Sequence, residues 1–391
     1  MKRAALAPML VALALRLAVA ASCDRVVADV ERYEKVGRHL LDVSWNPYET
    51  QRLYPYPPPW AAVEAGALAL ARSAPFDFAF VVKLPVFAAD LAIVALLVRA
   101  ALLGLGSPFA AWLYALHPVS VLVGAAHGQF DSIPLAFLLA AVLLAERDRR
   151  DASALALACG IATKSFPVLA LPFLATARGA SSREALRYAA LALAPVAILL
   201  LPFAVADRAA LQRELLGYGG IADFGWTGVL RGVSWLGSGV LARSEARFWP
   251  TAALVSRVVF LAAWLALALG AWLGRLPLSP RRIVLLVLLA FGTLYGLQSA
   301  QYLLWVVPLA LLRPGRPAAV HAAVASVGLV GFYLFLAPGV LWPDPLASGA
   351  LAAVGRMWVL GATATLATVA AWLGFALAEA RSSLRPAAPR V

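Results

Sequence analysis

YAALALAPVAILLLPFAV, residues 188–205, decides the fold class. None of its eighteen residues is charged, and about 20 apolar residues are what an α-helix needs to cross ~30 Å of hydrocarbon. Arg178, Arg183 and Arg187 stand just before it. Arg on one flank of such a run marks that end as cytoplasmic. Similar runs recur along all 391 residues, of which 63% are hydrophobic and 14% charged. The mean hydropathy is +0.83. Soluble domains are about 45–50% apolar and ~25% charged. That gap excludes an ordinary globular enzyme, a disordered chain and a fibrous protein. A transmembrane β-barrel would show short alternating strands, and none is visible. The expected class is an all-α, polytopic membrane protein.

Outward from this run, spans are expected at about 4–21, 80–98, 108–124, 133–145, 154–163, 166–175, 188–205, 251–273, 283–297, 302–312, 318–336 and 351–377, twelve in all. The N-terminus imitates a signal peptide, but Arg16 interrupts its apolar core and many spans follow, so it reads as an uncleaved first helix. Residues 60–71 are too few to span and read as a helix lying on the outer surface. On this count the Arg-rich short connections all face the cytoplasm, as do both termini: Arg147, Arg149 and Arg150; Arg178, Arg183 and Arg187; Arg275, Arg281 and Arg282; Arg313 and Arg316; Arg381, Arg385 and Arg390. The net charge of +13 is thereby assigned to the membrane and not to nucleic acid. Residues 1–380 read as one membrane-embedded domain in a plasma membrane, of the bacterial inner-membrane type. Two long outer loops are expected at about 22–79 and 206–250, and residues 381–391 as a disordered basic tail. Cys23 and Cys159 form no framework and offer no metal spacing.

Polar residues in costly places are the candidate site. In ADVERYEKVGRHLLDVSWNPYETQRLYPYPPPW (28–60), Asp29 and Tyr33 share a face if the stretch is helical. A carboxylate at the water–lipid boundary suits a general base, with Asp24 and Glu31 as competitors and a solvated loop acid as the plain alternative. YPYPPPW (54–60) is rigid, either an interfacial anchor or, through Tyr56, a stiff wall for a sugar or polyprenyl cleft. HPVSVLVGAAHGQFDS (117–132) sets His127, Gln129 and Asp131 at a helix junction, for metal ligation, hydrogen bonds to hydroxyls or a structural cap. In GIATKSFPVLALP (160–172), Lys164 lies between two apolar runs and either meets a phosphate or snorkels to headgroups. In LQSAQYLLWVVP (297–308), Gln298, Gln301, Tyr302 and Trp305 could bind a sugar face or join helices. GYGGIADFGWTGVLR (217–231) is a permissive, Gly-rich loop with one acid, Asp223, and no phosphate-loop spacing.

Taken in order, DVERYEKVGRHLL, NPY, YPYPPPW, HPVSVLVGAAHGQFDS, TKSFPVLALP and QYLLWVVPL resemble integral membrane glycosyltransferases of the GT-C superfamily, over about residues 10–312. The likeness is to family 87 mannosyltransferases and related enzymes that use polyprenyl-phosphate sugars. It implies about twelve membrane helices with juxtamembrane helices at the outer face, where the active site lies. It implies Asp29 as catalytic base, Asp131 as the second-loop acid and Lys164 as the phosphate-binding lysine. Tyr33, Tyr56, His127, Gln129, Gln301 and Tyr302 complete the expected substrate site. The implied partners are a polyprenyl-phosphate sugar donor, a glycolipid or glycan acceptor and membrane lipid, with no nucleic acid. Metal dependence varies within the family: the resemblance fixes no cofactor and leaves room for a divalent metal, which would use Asp131 and His127. Ala28 stands where many members carry a further acid, which weakens a two-carboxylate metal site beside Asp29. The rival classes are a polyprenyl-lipid or sugar transporter and a lipid-linked polymer ligase.

Overall fold

The structure, a computed structural model, describes residues 2–23, 28–50, 54–218, 220–243, 250–342 and 344–382. Asp24 and the tail arginines Arg385 and Arg390 lie outside the described residues. The chain is an all-α polytopic membrane protein. A lone antiparallel bridge between Phe224 and Gln298 is the one extended pairing among the described residues.

Five helices are long and apolar enough to cross a membrane: Phe78–Leu102, Ser182–Ala206, Pro250–Trp272, Arg316–Phe335 and Ser348–Ser382. Shorter apolar helices fill the bundle between them. In chain order the helices are α1 (Lys2–Ser22), α2 (Ala28–Asp42), α3 (Pro59–Ser73), α4 (Phe78–Val81), α5 (Leu84–Leu102), α6 (Ala110–Ala115), α7 (Pro118–Val121), α8 (Ser132–Glu146), α9 (Arg150–Thr163), α10 (Leu171–Ala175), α11 (Ser182–Ala206), α12 (Arg208–Leu216), α13 (Gly225–Ser238), α14 (Pro250–Trp272), α15 (Pro280–Leu294), α16 (Val307–Leu312), α17 (Arg316–Phe335) and α18 (Ser348–Ser382).

The differences from the sequence reading have local causes. The expected span 108–124 is broken into α6 and α7, because Pro118 cannot continue the helix before it. The expected span 302–312 is half 3-10 helix, Ala300–Leu304, before α16. Both long loops contain helices: α2 and α3 in the first, α12 and α13 in the second. Helix α18 runs through Arg381 and Ser382, the first two residues of the expected tail, and the Ser382 hydroxyl donates to the Glu379 carbonyl at 2.8 Å.

Helices α17 and α18 pack backbone to backbone. A Cβ on Gly361 would collide with Gly328, and one on Gly331 with the Trp358 backbone, so small residues set their approach. Deep in the bundle, Arg16 of α1 and Asp90 of α5, both 0% exposed, pair at 2.6 Å. The guanidinium also donates to Ser120 Oγ at 2.9 Å and to the Ala12 and Ala115 carbonyls. Asp90 also accepts from the Tyr114 and Ser132 hydroxyls at 2.6 and 2.7 Å. A polar cluster in which every charged atom has a partner is a tolerable way to bury charge, and it explains the arginine in the first apolar run.

The short helices give the bundle two distinct ends. Arg150 donates to the Ala175 and Ala177 carbonyls, Arg178 to the Glu146 carbonyl, and the Arg281 amide to Glu146 Oε1. The basic connections are therefore gathered at one end. Helix α8 runs from Asp131 to that cluster and α9 runs back from it to Lys164, about 20 Å away at ~1.5 Å per residue.

Candidate functional site

The segment 117–132 builds the centre of the opposite end. After α7 the backbone widens into a π-helical turn, Leu122–His127, and then reverses at Gly128, whose φ is +84°. A Cβ there would meet Lys83 Cε and Val30 Cγ2, each at 3.0 Å. Glycine is needed both for its left-handed backbone and for lack of room. The reversal presents His127 and Gln129 together to α2, while Asp131 stands at the start of α8 without capping it.

Helix α2 buries Val30, Tyr33, Val36 and Gly37. Its Asp29, one turn before Tyr33, points the same way. Asp29 Oδ2 accepts from Gln129 Nε2 and lies 3.0 Å from His127 Nε2. Its Oδ1 lies 3.6 Å from Arg32, and the side chain keeps 23% exposure. His127 Nδ1 lies 3.0 Å from the Tyr333 hydroxyl on α17. With that hydroxyl donating, Nε2 carries the ring proton and donates to Asp29. The Tyr33 hydroxyl donates to Gln129 Oε1 at 3.2 Å, turning the amide NH2 toward Asp29. Burial pushes the Asp29 carboxyl up. The hydrogen bond from His127, with the charges of Arg32 and Lys164, outweighs it and holds Asp29 below its ordinary 3.8. Asp29 is thus ionised at neutral pH.

A second polar pair stands beside the first. Lys164 leaves α9 in extended conformation and donates to Asp131 Oδ2 at 2.6 Å. The other carboxylate oxygen accepts from Trp305 Nε1, also at 2.6 Å. The ammonium lies 4.7 Å from the Phe130 ring centre and 5.2 Å from that of Tyr56, within cation–π range. Phe130 stacks on Trp60 at 4.1 Å, and Tyr33 meets both rings edge-on. The YPYPPPW run is therefore a wall of this site: Tyr54 and Trp60 are fully buried, and the Tyr48 hydroxyl donates to the Tyr56 carbonyl at 3.0 Å. Burial keeps the Tyr33 and Tyr56 hydroxyls neutral by pushing both well above 10.0.

Tyr302 stacks near Trp305, with ring centres 4.2 Å apart, and joins the site from the 3-10 turn. Gln301 is buried in the same turn and makes no hydrogen bond to the site among the described residues. The structure adds Tyr333 and Asp223. Tyr333 is a single hydroxyl in an apolar helix, a faint signal in sequence. Asp223 pairs with Arg231 at 2.9 Å, and the Asp223 and Phe224 amides donate to the Gln298 carbonyl at 3.3 and 2.8 Å. That ties the second loop to 298–305. Burial pushes the Asp223 carboxyl up to about 6, against the pull of Arg231, and the charge of Asp29 adds to the push. Asp223 therefore feels the Asp29 charge directly.

The donor set does not fit a metal held by Asp131 and His127. Both Asp131 oxygens already receive N–H donors, and His127 Nε2 is turned to Asp29. Among the described residues, no group of three or more His, Cys, Asp or Glu side chains could hold one.

Two charged centres thus lie under an aromatic wall at one end of the helix bundle, and comparison with known proteins bears on what they serve. Residues 36–180 match the family model described as alpha-(1->6)-mannopyranosyltransferase, N-terminal domain. The matched stretch contains Tyr56, His127, Gln129, Asp131 and Lys164 and begins just after Asp29 and Tyr33. No curated protein matches the chain. The match supports mannosyl transfer as the class of activity, in agreement with the likeness drawn from the motifs.

Proposed function

We propose that this protein moves a mannosyl residue from a polyprenyl-phosphate donor to a hydroxyl of a glycolipid or glycan acceptor, with inversion, at the extracytoplasmic face of a plasma membrane. The observation that carries the reading is the ionised Asp29, oriented by His127 and Gln129, next to the Lys164–Asp131 pair. Asp29 takes the proton of the acceptor hydroxyl. The freed oxygen bonds to the anomeric carbon as the bond from that carbon to the phosphate oxygen breaks on the opposite face. The electron pair leaves with the polyprenyl phosphate. Lys164 spends one N–H on Asp131 and turns its remaining donors to the leaving phosphate. Tyr33, Tyr56 and Tyr302 supply neutral faces and hydroxyls for the sugar. The sidedness rests on the Arg-rich connections at the far end, which the charge rule places in the cytoplasm. The test is transfer of labelled mannose from polyprenyl-phosphate mannose to an α-1,6-oligomannoside by the purified, full-length protein. Transfer that Asp29→Asn reduces at least ~100-fold is expected. Wild-type turnover by that variant rejects the base, and liposome uptake without transfer rejects the reaction.

A further inference from the structure

Two lysines are buried at the site end, in opposite circumstances. Lys164 is neutralised by Asp131 at 2.6 Å. Lys83, only 5% exposed, sits at the turn between α4 and α5, and its ammonium donates to a single neutral acceptor, the Ala126 carbonyl, at 3.3 Å. No carboxylate among the described residues pairs with it. One long hydrogen bond offsets little of the cost of burying an ammonium. The Lys83 stem lies against Gly128, next to the His127 and Gln129 that hold Asp29.

A pocket of ≈ 630 Å³ opens over Lys83, between the end of α1 and the turn leading from α3 into α4. Phe76, 53% exposed, and Asp77 stand on its lining. Asp77 makes no capping bond to α4, which leaves its carboxylate for other donors. Glu34, also on the lining, is held by Arg38 at 2.6 Å. Among the described residues the pocket thus has at its lining a buried cation with no carboxylate partner, and an open carboxylate and an aromatic ring at its rim. A bare anion would satisfy the cation and be repelled by Asp77. An anion whose substituent carries N–H or O–H donors satisfies both.

We propose that this pocket binds a lipid phosphate ester, with its phosphate oxygens on the Lys83 ammonium and a donor of its head group on Asp77. A phospholipid whose head group carries an ammonium or hydroxyl has that chemistry, and a bare polyprenyl phosphate, with no donor on its substituent, does not. The site is separate from the Lys164 centre, and its occupancy does not require Asp29 to act as a base.

The test is native mass spectrometry of the full chain in uncharged detergent, titrated separately with didecanoyl phosphatidylethanolamine, citronellyl phosphate and inorganic phosphate. Wild-type protein is expected to retain phosphatidylethanolamine. Lys83→Met lowers the occupancy of that ester at least about tenfold, the scale of one charge-assisted hydrogen bond. Lys83→Arg keeps it within about threefold. Preference for phosphatidylethanolamine over citronellyl phosphate, lost in Asp77→Asn, supports the donor contact to Asp77; preference for citronellyl phosphate overturns it. Wild-type occupancy in Lys83→Met overturns the proposal, as does inorganic phosphate binding as tightly as either ester. Should Lys83→Met fail to fold, Phe76→Ala and Asp77→Asn at the exposed rim decide it: unchanged ester binding in both is refutation. Asp29→Asn retains the ester whatever happens to sugar transfer, so this reading and the catalytic one fail separately.

Discussion

The Arg16–Asp90 centre and the Asp29 centre are both charged clusters buried in an apolar bundle, and they differ in what they leave undone. Around Arg16 every oxygen and nitrogen has a protein partner, and both side chains are sealed. Around Asp29 the carboxylate keeps 23% exposure, and one of its oxygens has only a loose ion pair at 3.6 Å. Burial cost alone therefore does not mark a reactive site in a membrane protein. The mark is a charge whose remaining valence points at open space.

The largest effect expected from breaking this contrast is on stability. Arg16→Leu strands the Asp90 carboxylate and should cost about 3–5 kcal/mol, while the double replacement Arg16→Leu, Asp90→Leu recovers most of it. Thermal unfolding in detergent reads both, and a single variant as stable as wild type would show the cluster to be dispensable. Asp29→Asn should do the reverse, removing at least ~100-fold of the transfer rate while shifting stability by less than about 0.5 kcal/mol. A large loss of stability there would make Asp29 a second Arg16-type lock.

Smaller effects sharpen the comparison. Tyr333→Phe frees His127 Nδ1 and should lower kcat about fivefold with KM unchanged, since Tyr333 only positions the ring; a change confined to KM would instead place it in substrate binding. The smallest effect lies in the pH profile. The Asp223 carboxyl titrates at about 6 in the folded chain. It is charged above that pH and loses its charge as pH falls through it, weakening the pair with Arg231 that fixes the second loop. Activity should show an inflection near pH 6 that Asp223→Asn abolishes. Asp29, held below 3.8, does not titrate in that window; an inflection that survives in Asp223→Asn would sink the assignment.

The fold was readable where apolar runs are unbroken, as at α11 and α14, because length and composition alone settle a lipid-facing helix. It was not readable at 108–131, where an equally apolar run hides a proline break and a π-turn whose only marks are Pro118, Gly124 and Gly128. At the site, ionisable residues set among apolar ones singled out Asp29, His127, Asp131 and Lys164. Their pairings were out of reach: that Asp131 neutralises Lys164, and that His127 leans on Tyr333, depends on helices far apart in the chain. Arg16 was noticed only as an interruption, since hydropathy sums cannot say which acid will answer a buried base.

The brevity of α8 and α9 has one more consequence. At ~1.5 Å per residue they reach little more than 20 Å, against ~37 Å for α11. Helices of that length fall short of the ~30 Å of hydrocarbon in a bilayer. Asp131 and Lys164 therefore lie nearer the basic end of the bundle than a full span would carry them, a placement that suits an amphiphile offering its polar end there while its tail stays in the oil.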